Sequence, residues 1–188
     1  MSIAPGDPTA DVQVVTIAPD GSLGPSVGRL LAHQPPGILH LAVSVALVDA
    51  DGRWLLQRRA GSKAAFPERW ANSCCTHPEP GEDPADAARR RVGQELGLDV
   101  AGLEPAGTFI YQATDPVSGL VEHELDHVFV AVVDTSSAAP DPEEIGDLAR
   151  LPLGEALELV ESATGTPWAP EVLRLASRHS REGDAPPA

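Results

Sequence analysis

Cysteine is nearly missing from this 188-residue chain: the only two, Cys74 and Cys75, are adjacent. A ring closed between sequence neighbours is strained, so there is no disulfide framework, and free thiols in a reducing compartment are the expectation. Long apolar runs are missing as well, and nothing approaches the ~20 consecutive apolar residues that cross a bilayer. The start, MSIAPGDPTADVQ, has neither the basic residues nor the apolar stretch of a secretory signal. A cytoplasmic protein without membrane insertion is therefore expected. Positive charge is in deficit. The 13 Lys and Arg against 28 Asp and Glu leave a formal net charge of −15, which opposes binding to a nucleic-acid backbone or an anionic membrane surface.

The cations that remain are unevenly distributed. Eight of the 13 lie between Arg53 and Arg91, and an acidic chain that gathers its cations in one segment points to a small anion as ligand. The length and the 42% apolar content suffice for one domain with a sizeable core. The expectation is a single domain over 1–188 with frayed Pro-, Ala- and Gly-rich tails at about 1–10 and 181–188.

Alternation and turn chemistry predict the elements between those tails. VQVVTIAPDGSLGP reads as a strand, an Asp-Gly turn and a short return, followed by a short helix starting at Ser26. LHLAVSVALVDADGRWLLQRR reads as a hairpin about DADG. Asp83 is the expected N-cap of a helix with Pro84 at its first position and Gly97 as its stop. Ala88, Val92 and Leu96 recur every fourth residue along it, giving one apolar face. GTFIYQATD and LVEHELDHVFVAVV read as strands, and IGDLARLPLGEALELVES and PEVLRLASRHS as closing helices. Strands mixed with helices predict an α/β (α+β) domain built on a mixed β-sheet flanked by helices.

In an extended LVEHELDHVF, Glu122, Glu124 and Asp126 share one face, and His123, Leu125, His127 and Phe129 take the other. A row of carboxylates on an apolar strand needs water or cations. His33, His40 and His77, brought to that face, would complete a mixed nitrogen and oxygen site suited to Zn, Mn or Fe. Spacing alone does not show the convergence. The adjacent cysteines match neither a zinc-finger pair nor a C-x-x-C redox motif. Extended CCTHP points Cys75 and His77 to one side and Cys74 to the other, so Cys75 is available to a site while Cys74 packs as a small hydrophobe.

The helix resembles the Nudix box, G-x5-E-x7-R-E-U-x-E-E-x-G-U with U aliphatic. Aligned on its end, the chain supplies Glu82, Arg90, Val92, Glu95, Gly97 and Leu98. It has Thr76 in place of the Gly, Arg91 in place of a Glu, and Gln94 in place of the first paired Glu. Diphosphate hydrolysis by this motif needs several carboxylates to hold cations and activate water. The scaffold is therefore present and the hydrolytic cluster eroded.

From about Val12 to Leu175, the segments AHQPPGILHLA, RRAGSKAAFPERWANSCCTHP, YQATDP, VEHELDH and TPWAPE, in that order around the helix, resemble type I isopentenyl-diphosphate Δ-isomerases, a family with the Nudix fold. The resemblance implies interconversion of isopentenyl and dimethylallyl diphosphate in isoprenoid biosynthesis. It implies Cys75 as the reactive cysteine of an N-x-x-C-x-H-P motif, Glu124 facing it across the substrate, and Tyr111 and Trp168 lining the pocket. His33, His40, His77, Glu122 and Glu124 match the family's metal ligands for Mn²⁺, Zn²⁺ or Mg²⁺. Glu95 matches the glutamate that helps hold a Mg²⁺ arriving with the diphosphate. Arg59, Lys63 and Arg91 match its diphosphate-binding cations, Arg29 falls where relatives commonly have lysine, and Phe66 stands where some have tryptophan. A small diphosphate is the expected partner and a monomer or weak dimer the expected state. The alternatives are a Nudix diphosphohydrolase and a non-catalytic metal- or diphosphate-binding domain.

Overall fold

A run of nine residues, His40–Val48 (β3), is buried along its whole length, which requires cover on both faces and explains its unbroken Val, Leu and Ala content. The computed structural model describes residues 12–183. β3 lies at the centre of a nine-stranded mixed sheet. It runs parallel to Val121–Val132 (β8), with His40 opposite Glu124, Ala42 opposite Asp126 and Ser44 opposite Val128. On its other side it pairs antiparallel with Cys74–Thr76 (β6), Ser44 meeting Cys75.

Gln13–Ile17 (β1) and Leu23–Gly28 (β2) form the first hairpin, and Arg29–His33 (α1) follows at once. The helix expected from Ser26 begins three residues later, because Ser26 is taken into β2 opposite Val15. Arg53–Arg59 (β4) pairs with β3 at only two positions beside the turn, Leu47 with Leu55 and Val48 with Trp54. Beyond them the two strands part, and the NSCC stretch fills the opening. Ser73 Oγ accepts from Leu47 N at 2.8 Å and donates to Leu55 O at 2.6 Å, and Asn72 Nδ2 donates to Val45 O at 3.1 Å. Buried backbone groups that a ladder would have satisfied are met by side chains instead.

Trp70–Ala71 (β5) pairs with Gln57 and Arg58 on the edge of β4 that faces this opening, and Ile145–Pro152 (β9) takes the opposite, outer edge. The segment IGDLARLP, expected as helix, is thus a strand. Antiparallel pairing with all of β4 satisfies its backbone, and the helix Leu153–Glu161 (α3) starts only after Pro152. Glu104–Thr114 (β7) pairs along β8, and Ala169–Gly183 (α4) closes the described chain. The tail expected at 1–10 lies outside the described residues, as does 184–188. The backbone of 181–183 is the end of α4.

Pro84–Leu96 (α2) has the expected ends. Asp83 accepts from Ala85 N at 2.8 Å, Pro84 opens the first turn, and Gly97 stops the helix with φ +65°. Its apolar stripe of Ala88, Val92 and Leu96 packs on Val43, Val45, Leu47, Cys74 and Phe129. The opposite face of the same strands, carrying Ala46, Val128 and Val130, is covered by Val160 of α3 and by Val172 and Leu173 of α4. Continued along β3 and β8 away from α3, that second face becomes polar: Ser44 and Asp126, then His40 and Glu124.

Candidate active site

Three imidazoles meet at the polar end of that face. His33 closes α1, His40 opens β3 and His77 follows β6, with ring centroids 4.8, 5.4 and 4.9 Å apart. The link between the first two is pinned to β8. Gly37, at φ +83°, stands where a Cβ would come within 2.6 Å of Val121 Cγ1, and its carbonyl lies 3.1 Å from His123 Nδ1. His33 Nδ1 donates to Arg29 O and His40 Nδ1 to Ile38 O, each at 2.7 Å. These bonds fix the rings and turn both Nε2 atoms inward, as second partners do around bound metals.

His77 Nε2 lies 2.9 Å and His40 Nε2 3.5 Å from Glu124 Oε1, and the two Nε2 atoms are 3.1 Å apart. One ligand atom from each of His33, His40, His77 and Glu124 falls within 4.8 Å of the others. Three nitrogens and one carboxylate oxygen crowded this closely fit a divalent cation. Glu122 binds His33 Nε2 at 2.8 Å. With both ring nitrogens facing acceptors, the arrangement favours the imidazolium form of His33. Burial works against that charge, but the hydrogen bond and the charge of Glu122 outweigh it and raise the His33 pKa. A cation taking that nitrogen displaces the proton.

A second chain of contacts leads from Glu124 to the thiol. Tyr111, opposite Glu124 across β7 and β8, donates to Glu124 Oε2 at 2.6 Å. Burial opposes ionisation of Glu124, but the hydrogen bonds of His40 and His77 prevail and hold it well below the usual carboxylate range. Asp126, two residues on, accepts from Ser44 Oγ at 2.7 Å, while its other oxygen is buried without a partner. Burial first, then the Glu124 charge, push Asp126 up to about 8. Ser44 Oγ in turn lies 3.4 Å from Cys75 Sγ, and Asn72 brackets the sulfur with its amide nitrogen at 3.2 Å and its oxygen at 3.3 Å. Burial, then Asp126, push the Cys75 thiol up to about 12. Cys74 lies fully buried on the α2 side, as strand alternation requires.

Trp168 is buried beside this chain with its indole N–H unpartnered. Its ring lies 5.7 Å from Tyr111, 5.3 Å edge-on from Phe66, and 5.7 Å beneath the Arg59 guanidinium. Arg59 is anchored by donating to the carbonyls of Phe66 and Ala65 at 3.2 and 3.1 Å.

The remaining expected residues form a separate charged cluster against α2. Arg91 pairs with Glu95 at 2.7 Å and with Glu144 at 2.9 Å, Lys63 pairs with Glu144, and Gln57 donates to Glu95 at 3.3 Å. Glu95 therefore stands outside the group of His33, His40, His77 and Glu124. Arg29, at the start of α1, gives its carbonyl to His33. Sequence reasoning did not select Ser44, Asn72, Asp126 or Glu144. Asp126 was signalled by its place in the carboxylate row, and Asn72 by its motif. Ser44 and Glu144 carry no sequence signal, since only the β3–β8 register and the turn before β9 bring them in.

A mixed sheet with a capped helix that carries Arg90 and Glu95, Arg90 pairing back to Glu82 just before the cap, is the architecture of a NUDIX domain, and the NUDIX domain family matches residues 38–176. The chain superposes on a Deinococcus radiodurans protein with a TM-score of 0.70 at 17% identity, over 87% of this chain and 98% of that one. It superposes on a MutT NUDIX hydrolase from Burkholderia pseudomallei with a TM-score of 0.57 at 20% identity, over 73% of this chain and 97% of that one. Sequence relatives are more specific. The isopentenyl-diphosphate Delta-isomerase of Streptomyces griseus is 48% identical over 85% of this chain and 81% of its own length. That of Nocardia farcinica is 48% identical over 80% of this chain and 86% of its own. The chain belongs to the isopentenyl-diphosphate Delta-isomerase family.

Proposed function

We propose that this chain interconverts isopentenyl and dimethylallyl diphosphate, with Cys75 and Glu124 as its two proton carriers. The observation that carries this reading is the pair of runs Tyr111–Glu124 and Asp126–Ser44–Cys75, which set a buried carboxylate and a half-buried thiol on one face of β3, β6 and β8. Moving the double bond requires a proton added at C4 of the alkene and one removed at C2, through a state with carbocation character. Cys75 holds its proton at neutral pH and Glu124 has given its own up, so the pair offers one donor and one acceptor. Tyr111 steadies the carboxylate through its hydroxyl. The Trp168 face, close to Tyr111 and Phe66, supplies an electron-rich surface, and the attraction of such a ring for a cation is worth ~2 kcal/mol when water is excluded.

His33, His40, His77 and Glu124, with Glu122 behind His33, hold a divalent metal in this reading: Mn²⁺, Zn²⁺ or Mg²⁺. When bound, it fixes the Glu124 carboxylate and tunes its affinity for a proton. Glu95 meets a Mg²⁺ that arrives with the diphosphate, while Arg59, Lys63 and Arg91, with Arg29 nearer the histidines, hold the diphosphate itself. Anchoring a part of the substrate that does not react leaves its binding energy available at the alkene. A Nudix diphosphohydrolase is less well supported. Arg91 stands where that chemistry needs a carboxylate, and it is committed to Glu95 and Glu144. A single domain, monomeric or weakly dimeric, working in the cytoplasm on precursors of isoprenoids completes the proposal.

Turnover in deuterium oxide tests the two-carrier scheme. Isopentenyl diphosphate should yield dimethylallyl diphosphate with solvent deuterium in the methyl group formed from C4. A product free of solvent deuterium at early times would contradict it, because the proton would then have moved within the substrate.

A further inference from the structure

We propose that Glu144 makes this site take up a diphosphate and a divalent cation together, by keeping Lys63 and Arg91 neutralised until both arrive. The inference rests on the reading above, that a diphosphate binds at the Lys63–Arg91 cluster. Glu144 lies in the turn before β9, and the segments around it are fixed. Asp141 N donates to Glu95 O at 2.8 Å, Glu144 N to Asp141 O at 3.1 Å, and Ala60 N, three residues before Lys63, to Glu144 O at 2.9 Å. One carboxylate oxygen of Glu144 meets Arg91 Nη2 at 2.9 Å, and the other meets Lys63 Nζ. The same Arg91 nitrogen is 2.7 Å from Glu95.

The cluster thus holds two cations and two carboxylates whose charges cancel. All four side chains are at least three-quarters buried. Such pairs are costly to break when one partner is left alone. A diphosphate arriving by itself must pull Lys63 and Arg91 from their carboxylates and then lie against two unpaired anions. A divalent cation arriving by itself must leave two unpaired cations behind. When both arrive, the partners exchange: Glu95 and Glu144 turn to the metal, and Lys63 and Arg91 to the diphosphate. Two further features fit this exchange. Arg91 Nε is buried without a partner, so a donor is in reserve. Burial opposes ionisation of Glu144, yet Lys63 and Arg91 hold its carboxyl below the usual range, so it stands ready as an anion.

Inorganic pyrophosphate is the probe. Its binding is measured by calorimetry, with Mg²⁺ and separately in chelator, on the wild type, E144Q, E144A and E144D. In chelator, E144Q and E144A are expected to bind pyrophosphate about tenfold tighter than the wild type, and their gain from Mg²⁺ should shrink by a similar factor. E144D keeps the charge and should stay close to the wild type in both conditions. If the folded neutral variants bind no more tightly in chelator than the wild type, while the wild type binds with Mg²⁺, the role of Glu144 is overturned and the diphosphate reading stands. If the wild type binds pyrophosphate in neither condition, both fall. The wild type also tests the idea without any variant: tight binding in chelator equal to that with Mg²⁺ overturns it.

Discussion

Cys74 and Cys75 are neighbours in sequence and face opposite sides of the sheet, one into the packing against α2 and the other toward Ser44 and Asn72. Cys75→Ala should lower kcat by roughly 10²–10⁴-fold, the range for a positioned proton carrier. Cys74→Ala should keep most of the activity and cost about 1 kcal/mol in stability, as a small core truncation. Comparable loss of kcat in both would contradict the facing. Asp126 makes a second prediction. An acid whose pKa rises on folding binds its proton more tightly in the native state, so native stability falls as pH climbs from the ordinary carboxylate range toward about 8, then levels. The raised His33 adds a slope of the same sign above its ordinary value, while His77 and His127, lowered by burial, add the opposite sign below theirs. In chelator, the slope of stability against pH should be more negative in the wild type than in Asp126→Asn by roughly 1 kcal/mol per pH unit through this window, by urea unfolding. An unchanged slope in the variant would show that Asp126 is not the group concerned. The opposed cysteines and the carboxylate row were legible because strand alternation is local. The Asp126–Ser44–Cys75 contacts were not, because they depend on the register of strands far apart in sequence.

At the scale of elements, α2 was legible at both ends, since Asp83, Pro84 and Gly97 each act through their own local backbone chemistry. Asp83→Ala should cost about 1 kcal/mol in unfolding experiments, the usual penalty for a lost N-cap. β9 was misread because IGDLARLP has no strong alternation, and only the open edge of β4 makes it a strand. The link from α1 to β3 matters more for function. A Cβ at Gly37 meets Val121 in a backbone region that L-residues avoid, so Gly37→Ala should push His33 and His40 away from β8. Metal affinity should fall by about tenfold or more, with a stability loss of roughly 1–3 kcal/mol in chelator. Calorimetric titration with Mn²⁺ or Zn²⁺ reads the first effect. Unaltered affinity would mean that the glycine serves the turn alone.

Across the whole molecule, the histidine and glutamate group draws its members from α1, β3, the segment after β6, and β8. No composition or spacing rule foretells that convergence, which is why the resemblance carried the ligand set before the fold did. A metal held there ties the first hairpin and α1 to the central strands. At a free concentration of ~100 times its Kd it should add about 2.7 kcal/mol to stability. For a chain of this size that is a Tm rise of about 5–10 °C, lost on chelation. A Tm indifferent to chelator would remove the metal from the folded site. The sheet and helix are shared with NUDIX hydrolases, so the fold does not decide between moving a double bond and cleaving a diphosphate. Nuclear magnetic resonance of isopentenyl diphosphate incubated with the metal-restored protein decides it. The expected result is the methyl signals of dimethylallyl diphosphate with the diphosphate intact. Release of phosphate, or an unchanged substrate, would contradict it.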